Sequence, residues 1–352
     1  MEREKDYLRE YLASIKSGSG PEKYKRVCLS PLRYAGGKSN AVGLVLQHLP
    51  ALARKRIVSP FFGGGSVEIA LSSKLGYEVV GYDCFGLLVN FWEQALANPA
   101  ALADELARLV PDKENFTRNR HILLHHWDSI KPADLEYVTR KKVELTDDEK
   151  AMLSDNSLLQ AAYYYYNMQL SYGPMFLGWQ SSVYLKDDKY RKIVEKIRTF
   201  SPGNLRVSVA AFDASIAAHP DDFLFVDPPY YLGTDSKMFK GIYPNSNFAI
   251  HHNAFNHALL RDMLKRHRGG FFLTYNDCPT IREWYAEFQQ EFPKWQYTYG
   301  QGETRIGENR NAAGEDNVKE SHEIFIICRP RLEPGLEPRL EPANNVAEVA
   351  DE

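Results

Sequence analysis

An acid, two prolines and an aromatic ring follow one another at Asp227-Pro228-Pro229-Tyr230. Asp227 offers hydrogen-bond acceptors, and the prolines fix φ and carry no N–H, which leaves their carbonyls to a ligand. Tyr230 adds a flat ring. Acceptors beside a flat ring suit a planar group bearing an NH2, such as the exocyclic amine of a nucleobase. A D-P-P-Y string alone would also fit an ordinary proline turn, so its weight depends on its neighbours.

A second group lies upstream. Phe61-Phe62 lead into Gly63-Gly64-Gly65-Ser66, and Val67-Glu68-Ile69-Ala70-Leu71 continues as a helix start. Glycines between a strand and a helix let a ligand approach bare backbone at a helix N-terminus. A dinucleotide loop reads G-x-G-x-x-G, but Glu68 occupies its third glycine position, which argues against NAD or FAD. Asp83, about twenty residues beyond the loop, is placed to bind ribose hydroxyls. Together these residues predict a nucleoside ligand without a pyrophosphate, and S-adenosylmethionine fits. Tyr34-Ala35-Gly36-Gly37-Lys38 forms a third group. It is not a Walker loop, because Leu32 stands where that motif needs its first glycine.

The elements that must position these groups are legible as apolar runs. Phe223-Leu224-Phe225-Val226 reads as a parallel strand buried on both faces, delivering Asp227 to its carboxyl end. In an open α/β sheet that end is where ligands bind. Arg56-Ile57-Val58-Ser59 delivers the glycine loop in the same way, and Glu78-Val79-Val80-Gly81-Tyr82 delivers Asp83. Leu205 to Ala210 leads to Phe212-Asp213, and Glu323-Ile324-Phe325-Ile326-Ile327 reads as a terminal strand. The fold class is α/β, with α/β motifs in residues 27–97 and 201–330. Residues 98–200 between them are mostly helical in pattern, as at Ala100 to Leu109 and Ser157 to Tyr166. Residues 1–26 form an N-terminal extension that begins with an amphipathic helix. Residues 331–352 repeat Leu-Glu-Pro, whose prolines block both helix and central strand, and are expected to be disordered.

In order and spacing these motifs resemble the Dam-like D12 class of DNA adenine-N6 methyltransferases. That pattern runs from an aromatic-A-G-G-K segment through a P-F-x-G-x-G-S loop and an acid after the second strand to D-P-P-Y. The resemblance spans about Leu32 to Arg329 and implies a Rossmann-like S-adenosylmethionine-dependent methyltransferase sheet. The inserted residues 98–200 are implied to be a helical target-recognition domain. Methyl transfer to the N6 amine of a flipped-out adenine in a specific sequence of double-stranded DNA is the implied activity. Tyr34, Lys38, Phe61, Phe62, Gly63, Gly65 and Asp83 are implied to hold the cofactor, Asp227 to contact both cofactor and base, and Tyr230 to stack on the base. Phe212 and Asp213 are expected beside the cofactor's adenine. Acceptance of the two amine N–H bonds by Asp227 and the Pro228 carbonyl would turn the nitrogen lone pair toward the methyl group, with Pro229 fixing the geometry.

Two regions between 98 and 200 are candidates for DNA. The run Arg140-Lys141-Lys142 is suited to phosphates, and the turn Ser171-Tyr172-Gly173-Pro174-Met175 to bases. Gly173-Pro174-Met175 stands where the family carries an N-G-L-like string, so the family's target sequence is not carried over. Tyr163 to Tyr166 at helical spacing read as core. Two alternatives stay open. One is another amine, cytosine N4 or an RNA adenine, although Asp rather than Ser at position 227 favours adenine. The other is a catalytically silent DNA-binding module of the same fold.

Composition sets bounds. The chain has 352 residues, 44% hydrophobic and 25% charged, enough for one large domain with an insertion. Its net charge of -3 means that any DNA-binding basic surface must be local. Cys28, Cys84, Cys278 and Cys328 are scattered without a C-x-x-C pair, which predicts reduced thiols and neither zinc nor disulfides. The adjacent pairs His125-His126 and His251-His252 do not share a helix face, so no metal is expected. No apolar run spans a bilayer and no signal peptide is seen, so a cytoplasmic protein is expected, most simply a monomer. A companion restriction endonuclease is consistent with the resemblance.

Overall fold

The computed structural model describes residues 2–17, 23–131, 143–173, 176–182, 185–233, 255–293 and 323–330. Short runs, most of them apolar, form one seven-stranded sheet. In chain order its strands are β1 (Arg56–Ser59), β2 (Glu78–Asp83), β3 (Leu205–Val209), β4 (Phe223–Val226), β5 (Phe271–Asn276), β6 (Gln289–Glu291) and β7 (Glu323–Cys328). The spatial order is β3-β2-β1-β4-β5-β7-β6. Strands β1 to β5 are parallel, and β7 runs antiparallel between β5 and β6. The chain steps outward from β1 to β3 and then returns to place β4 on the other side of β1. The carboxyl ends of β1 and β4 therefore flank the point where strand order reverses, the ligand crevice of such sheets.

Adjacent residues of each inner strand enter opposite cores, as the two-residue period requires. Ile57, Val79, Phe223, Phe225, Phe272 and Phe325 face one core. Val58, Val80, Leu224, Val226, Leu273 and Ile324 face the other. The first core is covered by α2 (Val42–His48), α3 (Ser66–Leu75) and α4 (Gly86–Ala97), with α1 (Glu2–Ile15) packed on α2. The second lies under α10 (Phe212–Ala218), α11 (His257–Arg266) and α12 (Pro279–Trp284).

Between β2 and β3 the chain continues as α5 (Pro99–Arg108), α6 (Lys113–Ile130), α7 (Asp147–Ala151), α8 (Ser157–Leu170) and α9 (Asp187–Arg198). Their starts follow from side-chain caps. Asp112 accepts from the Asn115 amide at 2.7 Å, Asn156 from Leu159 at 3.0 Å, and Thr146 with Glu149 closes a capping box. Leu102, Phe116, Leu123, Tyr164, Tyr165 and Ile197 join the same apolar cluster as Ile57 and Phe225. Helix α8 packs on α4 and α5, so this segment is continuous with the sheet's own core. Tyr163 to Tyr166 are all buried, as their helical spacing predicts. The run Arg140-Lys141-Lys142, Met175 and the Leu-Glu-Pro segment lie outside the described residues.

Candidate active site

The glycine loop is built before any ligand arrives. Asp83, ending β2, accepts from the Gly63 amide at 2.9 Å and from the Phe85 amide at 3.0 Å. The Trp92 indole donates to the Gly63 carbonyl at 2.9 Å, and the Phe62 amide to the Tyr82 carbonyl at 2.8 Å. Gly65 takes φ 61 to turn the chain into α3, a conformation most side chains avoid. Tyr34 lies over the loop, since a Cβ on Gly64 would fall 2.6 Å from the Tyr34 Cβ. Burial pushes the Asp83 carboxyl above its ordinary value, opposed by those amide donors. A carboxylate has about four acceptor positions, so Asp83 keeps capacity for ligand hydroxyls.

Phe61 and Phe62 part company. Phe61 is half-buried and stacks on Phe212 with centroids 5.5 Å apart and planes at 23°, with Phe255 edge-on at 5.6 Å. Asp213 is exposed in the first turn of α10 beside this aromatic group. Phe62 is only 2% exposed and its ring meets Trp92 edge-on. It fills the space left by Gly81, where an added Cβ would lie 2.4 Å from Cδ2. The missing side chain at Gly81 draws the Phe62 ring into the core, so what Phe62 has left for a cofactor is its backbone in the loop.

Lys38 reaches the D-P-P-Y segment. Its Nζ donates to Asp227 Oδ1 at 2.7 Å, and Thr274 Oγ1 donates to the same oxygen at 2.6 Å. Among the described residues Oδ2 of Asp227 has no partner, and this carboxyl is 22% exposed. Lys38 itself is buried and its Nζ stands 5.0 Å from the Tyr230 ring centroid, a cation–π distance. Tyr230 is 4% exposed, and its hydroxyl donates to both oxygens of Glu323, at 2.6 and 2.7 Å. In this structure the ring expected to stack on a base is thus covered.

Two further carboxyls surround this cation. Glu68 is 3% exposed and accepts from Ser59 Oγ at 2.7 Å. Burial pushes Glu68 up to about 8, with the Asp227 charge adding and Lys38 opposing. Burial likewise pushes Glu323 up to about 8, opposed by Lys38 and the Tyr230 hydroxyl. Among the described residues one ammonium stands near three carboxyls and cannot balance them all. Near neutral pH the two buried ones, Glu68 and Glu323, therefore hold protons while Lys38 stays bonded to Asp227 Oδ1.

This arrangement sets a pH dependence. A glutamate that keeps its proton to about 8 when folded, but only to about 4.5 when unfolded, stabilises the fold fully below the lower value. That contribution is lost as pH rises to the upper value, by up to roughly 1 kcal/mol per pH unit for each group. Glu68→Gln keeps an acceptor for Ser59 and removes the titration. Denaturant unfolding between pH 5 and 8 is expected to show the variant gaining steadily on the wild type. Parallel curves would mean that Glu68 is ionised in the fold.

Thr274, Asn276 and Glu323 were not among the residues singled out from sequence. Their signal was a polar residue in an otherwise apolar strand, which burial makes informative. Among the DNA candidates, Tyr172 is 52% exposed, whereas Ser171 is fully buried and donates to the Asn167 carbonyl at 2.6 Å. Ser171 therefore cannot present its side chain to a base, because its hydroxyl closes the last turn of α8. Gly173 is buried with φ 84. The Tyr172 amide bonds to the Trp179 carbonyl at 2.6 Å, and Trp179 is 75% exposed. Arg120 lies 5.6 Å from the Trp179 ring and donates to the Leu177 carbonyl at 2.8 Å. Leu177, at φ 53, is also held by its amide bond to Asn167 Oδ1 at 2.7 Å.

Among the described residues no group of three or more His, Cys, Asp or Glu is placed to hold a metal, and no helix is long and apolar enough to cross a membrane. No curated protein matches the chain. Residues 34–299, from the Tyr34 segment through the glycine loop, Asp83, D-P-P-Y and β5, match the family model of the D12 class N6 adenine-specific DNA methyltransferases, so the chain belongs to that family of enzymes and has its S-adenosylmethionine-dependent methyltransferase fold.

Proposed function

We propose that this enzyme transfers a methyl group from S-adenosylmethionine to the N6 amine of an adenine flipped out of a specific duplex sequence. The observation that carries the reading is Asp227, whose Oδ1 is fixed by Lys38 and Thr274 while Oδ2 has no partner among the described residues, with the Pro228 carbonyl next in the chain. An extruded adenine presents two N–H donors to such a pair of acceptors. Accepting both, they withdraw the nitrogen lone pair from the ring and aim it, which is catalysis by orientation and electrostatics.

The cofactor fits the residues present. Asp83 has spare acceptor capacity for ribose hydroxyls, and Phe61 with Phe212 offers an aromatic surface for a purine. Tyr34, Lys38 and the Gly63–Gly65 backbone complete the proposed pocket. Glu68 stands where a dinucleotide loop has its third glycine, and its buried side chain takes the space that the close helix–strand approach of such a loop needs. When bound, the sulfonium supplies a methyl group already electrophilic. A positively charged cofactor also suits a cleft bordered by Asp83 and Asp227.

Asp83→Ala is expected to weaken S-adenosylmethionine binding by about 1–3 kcal/mol, the cost of leaving polar partners unpaired. Titration calorimetry reads this directly. Unchanged affinity would contradict the ribose assignment.

For DNA, exposed Tyr172 and Trp179, with Arg120 beside Trp179, support base contacts from the turn after α8 that includes Gly173, and Met175 is proposed as a further contact. Arg140, Lys141 and Lys142 are the proposed phosphate contacts. Several other basic side chains are engaged within the fold. Arg118 pairs with Glu149, Lys265 with Glu287 at 3.0 Å, and Arg268 with Asp221 at 2.7 Å.

Incubating the purified protein with methyl-labelled cofactor and unmethylated duplex DNA, followed by nucleoside mass spectrometry, tests the reading. N6-methyladenine is expected. N4-methylcytosine, labelling of RNA alone, or no label would reject it.

A further inference from the structure

Asn276 ends β5 and Glu323 begins β7, and the two are register partners. Both are polar, at 0% and 1% exposure, in strands otherwise lined by apolar residues. Burying an amide and a carboxyl costs free energy unless each is bonded. Both are bonded, and to consecutive residues. Asn276 Oδ1 accepts from the Tyr231 amide at 2.8 Å, and Asn276 Nδ2 donates to the Tyr231 carbonyl at 2.7 Å. Glu323 accepts the Tyr230 hydroxyl. Thr274, two residues before Asn276 and so on the same face of β5, donates to Asp227.

The segment from Asp227 to Tyr231 needs such outside support. Pro228 and Pro229 have no N–H, so the segment cannot brace itself through local backbone bonds. It is held at its start by Thr274, near its middle by Glu323 and at its end by Asn276. All three side chains project from one face of the β5–β7 pair.

We propose that Glu323 and Asn276 are positioning residues for methyl transfer, holding Tyr230 and Tyr231 so that Asp227 Oδ2 and the Pro228 carbonyl keep the geometry the amine requires. This rests on reading the site as an adenine N6 transfer centre. A displacement of about 1 Å at a reacting group is enough to cost on the order of a hundredfold in rate. The hydrogen bonds described for the two residues go to Tyr230 and Tyr231 and not to the glycine loop or Asp83, so that part of the cofactor side stays intact without them.

The test is single-turnover methylation of unmethylated genomic DNA by excess enzyme, alongside calorimetric titration with S-adenosylmethionine. Glu323→Ala is expected to slow transfer about a hundredfold while cofactor affinity stays within about twofold. Glu323→Gln, which keeps an acceptor for the Tyr230 hydroxyl, is expected to recover most of that loss. Tyr230→Phe removes a single oxygen and should slow transfer at least about tenfold, and combining it with Glu323→Ala should be little slower than Glu323→Ala alone. That double variant separates positioning from bulk stability, which would give additive losses. Transfer within threefold of wild type in Glu323→Ala or in Tyr230→Phe overturns the proposal, as does equal loss of cofactor affinity. Should Glu323→Ala fail to fold, the Tyr230→Phe rate alone decides. A wild-type protein that binds cofactor but leaves adenine unmethylated would instead reject the functional reading.

Discussion

Replacing Asp227 with Ala is expected to abolish methyl transfer, by at least about a thousandfold, roughly 4 kcal/mol in the barrier. The side chain is the one described acceptor at the carboxyl end of β4 with an oxygen left over for a ligand. Its removal leaves the incoming amine with the Pro228 carbonyl alone. The change costs stability because it leaves buried Lys38 without Asp227. The fold is nonetheless expected to survive, since Lys38 keeps its bond to the Gly36 carbonyl and losing the Asp227 charge lets Glu68 or Glu323 ionise beside it. Circular dichroism and a melting curve establish the folded state before activity is measured. A folded variant retaining activity within a few-fold of wild type would remove Asp227 from the mechanism.

Lys38→Met is the second large effect, and it falls on stability as well as activity. Lys38 is 3% exposed and is the cation among three carboxyls. Breaking a buried ion pair from one side costs about 3–5 kcal/mol, since the other charge is left uncompensated. Asp227 is 22% exposed, and the water that reaches it places the expected loss toward the lower figure. The same change frees Asp227 Oδ1 from its strongest donor, so transfer should fall even in the fraction that remains folded. Denaturant unfolding with an unchanged m-value measures the first effect. A loss below about 1 kcal/mol would mean that Lys38 is held by its remaining contacts rather than by the pair.

What could be read from sequence followed chain locality. Phe223-Leu224-Phe225-Val226 is the observed β4, and Asp227, the glycine loop and Asp83 stand at strand ends as the apolar runs require. Other features depended on partners far away in the chain. Nothing near Tyr230 announces Glu323, which becomes its acceptor only because β7 inserts beside β5. Phe62 looks equivalent to Phe61 until β2 is laid alongside and Gly81 offers its ring a place. Arg118 and Arg120 are basic residues two apart on α6, yet one is paired to Glu149 and the other braces Leu177. A charge run reports composition, whereas the field it makes depends on which charges the fold has already neutralised.

The position of β7 also has a consequence for how activity first appears. Chains are made from the N-terminus, and among the described strands β6 pairs only with β7. Until residues 323–328 emerge, β5 ends the sheet as an open edge, which invites pairing with other chains. Tyr230 then has no Glu323 to meet. Closing that gap joins segments distant in sequence, a slow class of folding event. A nascent chain can thus display the whole D-P-P-Y motif and its glycine loop without yet holding them in register. Among the described strands β7 is the last in sequence, so the bond between Tyr230 and Glu323 is completed only after every other described strand has been made.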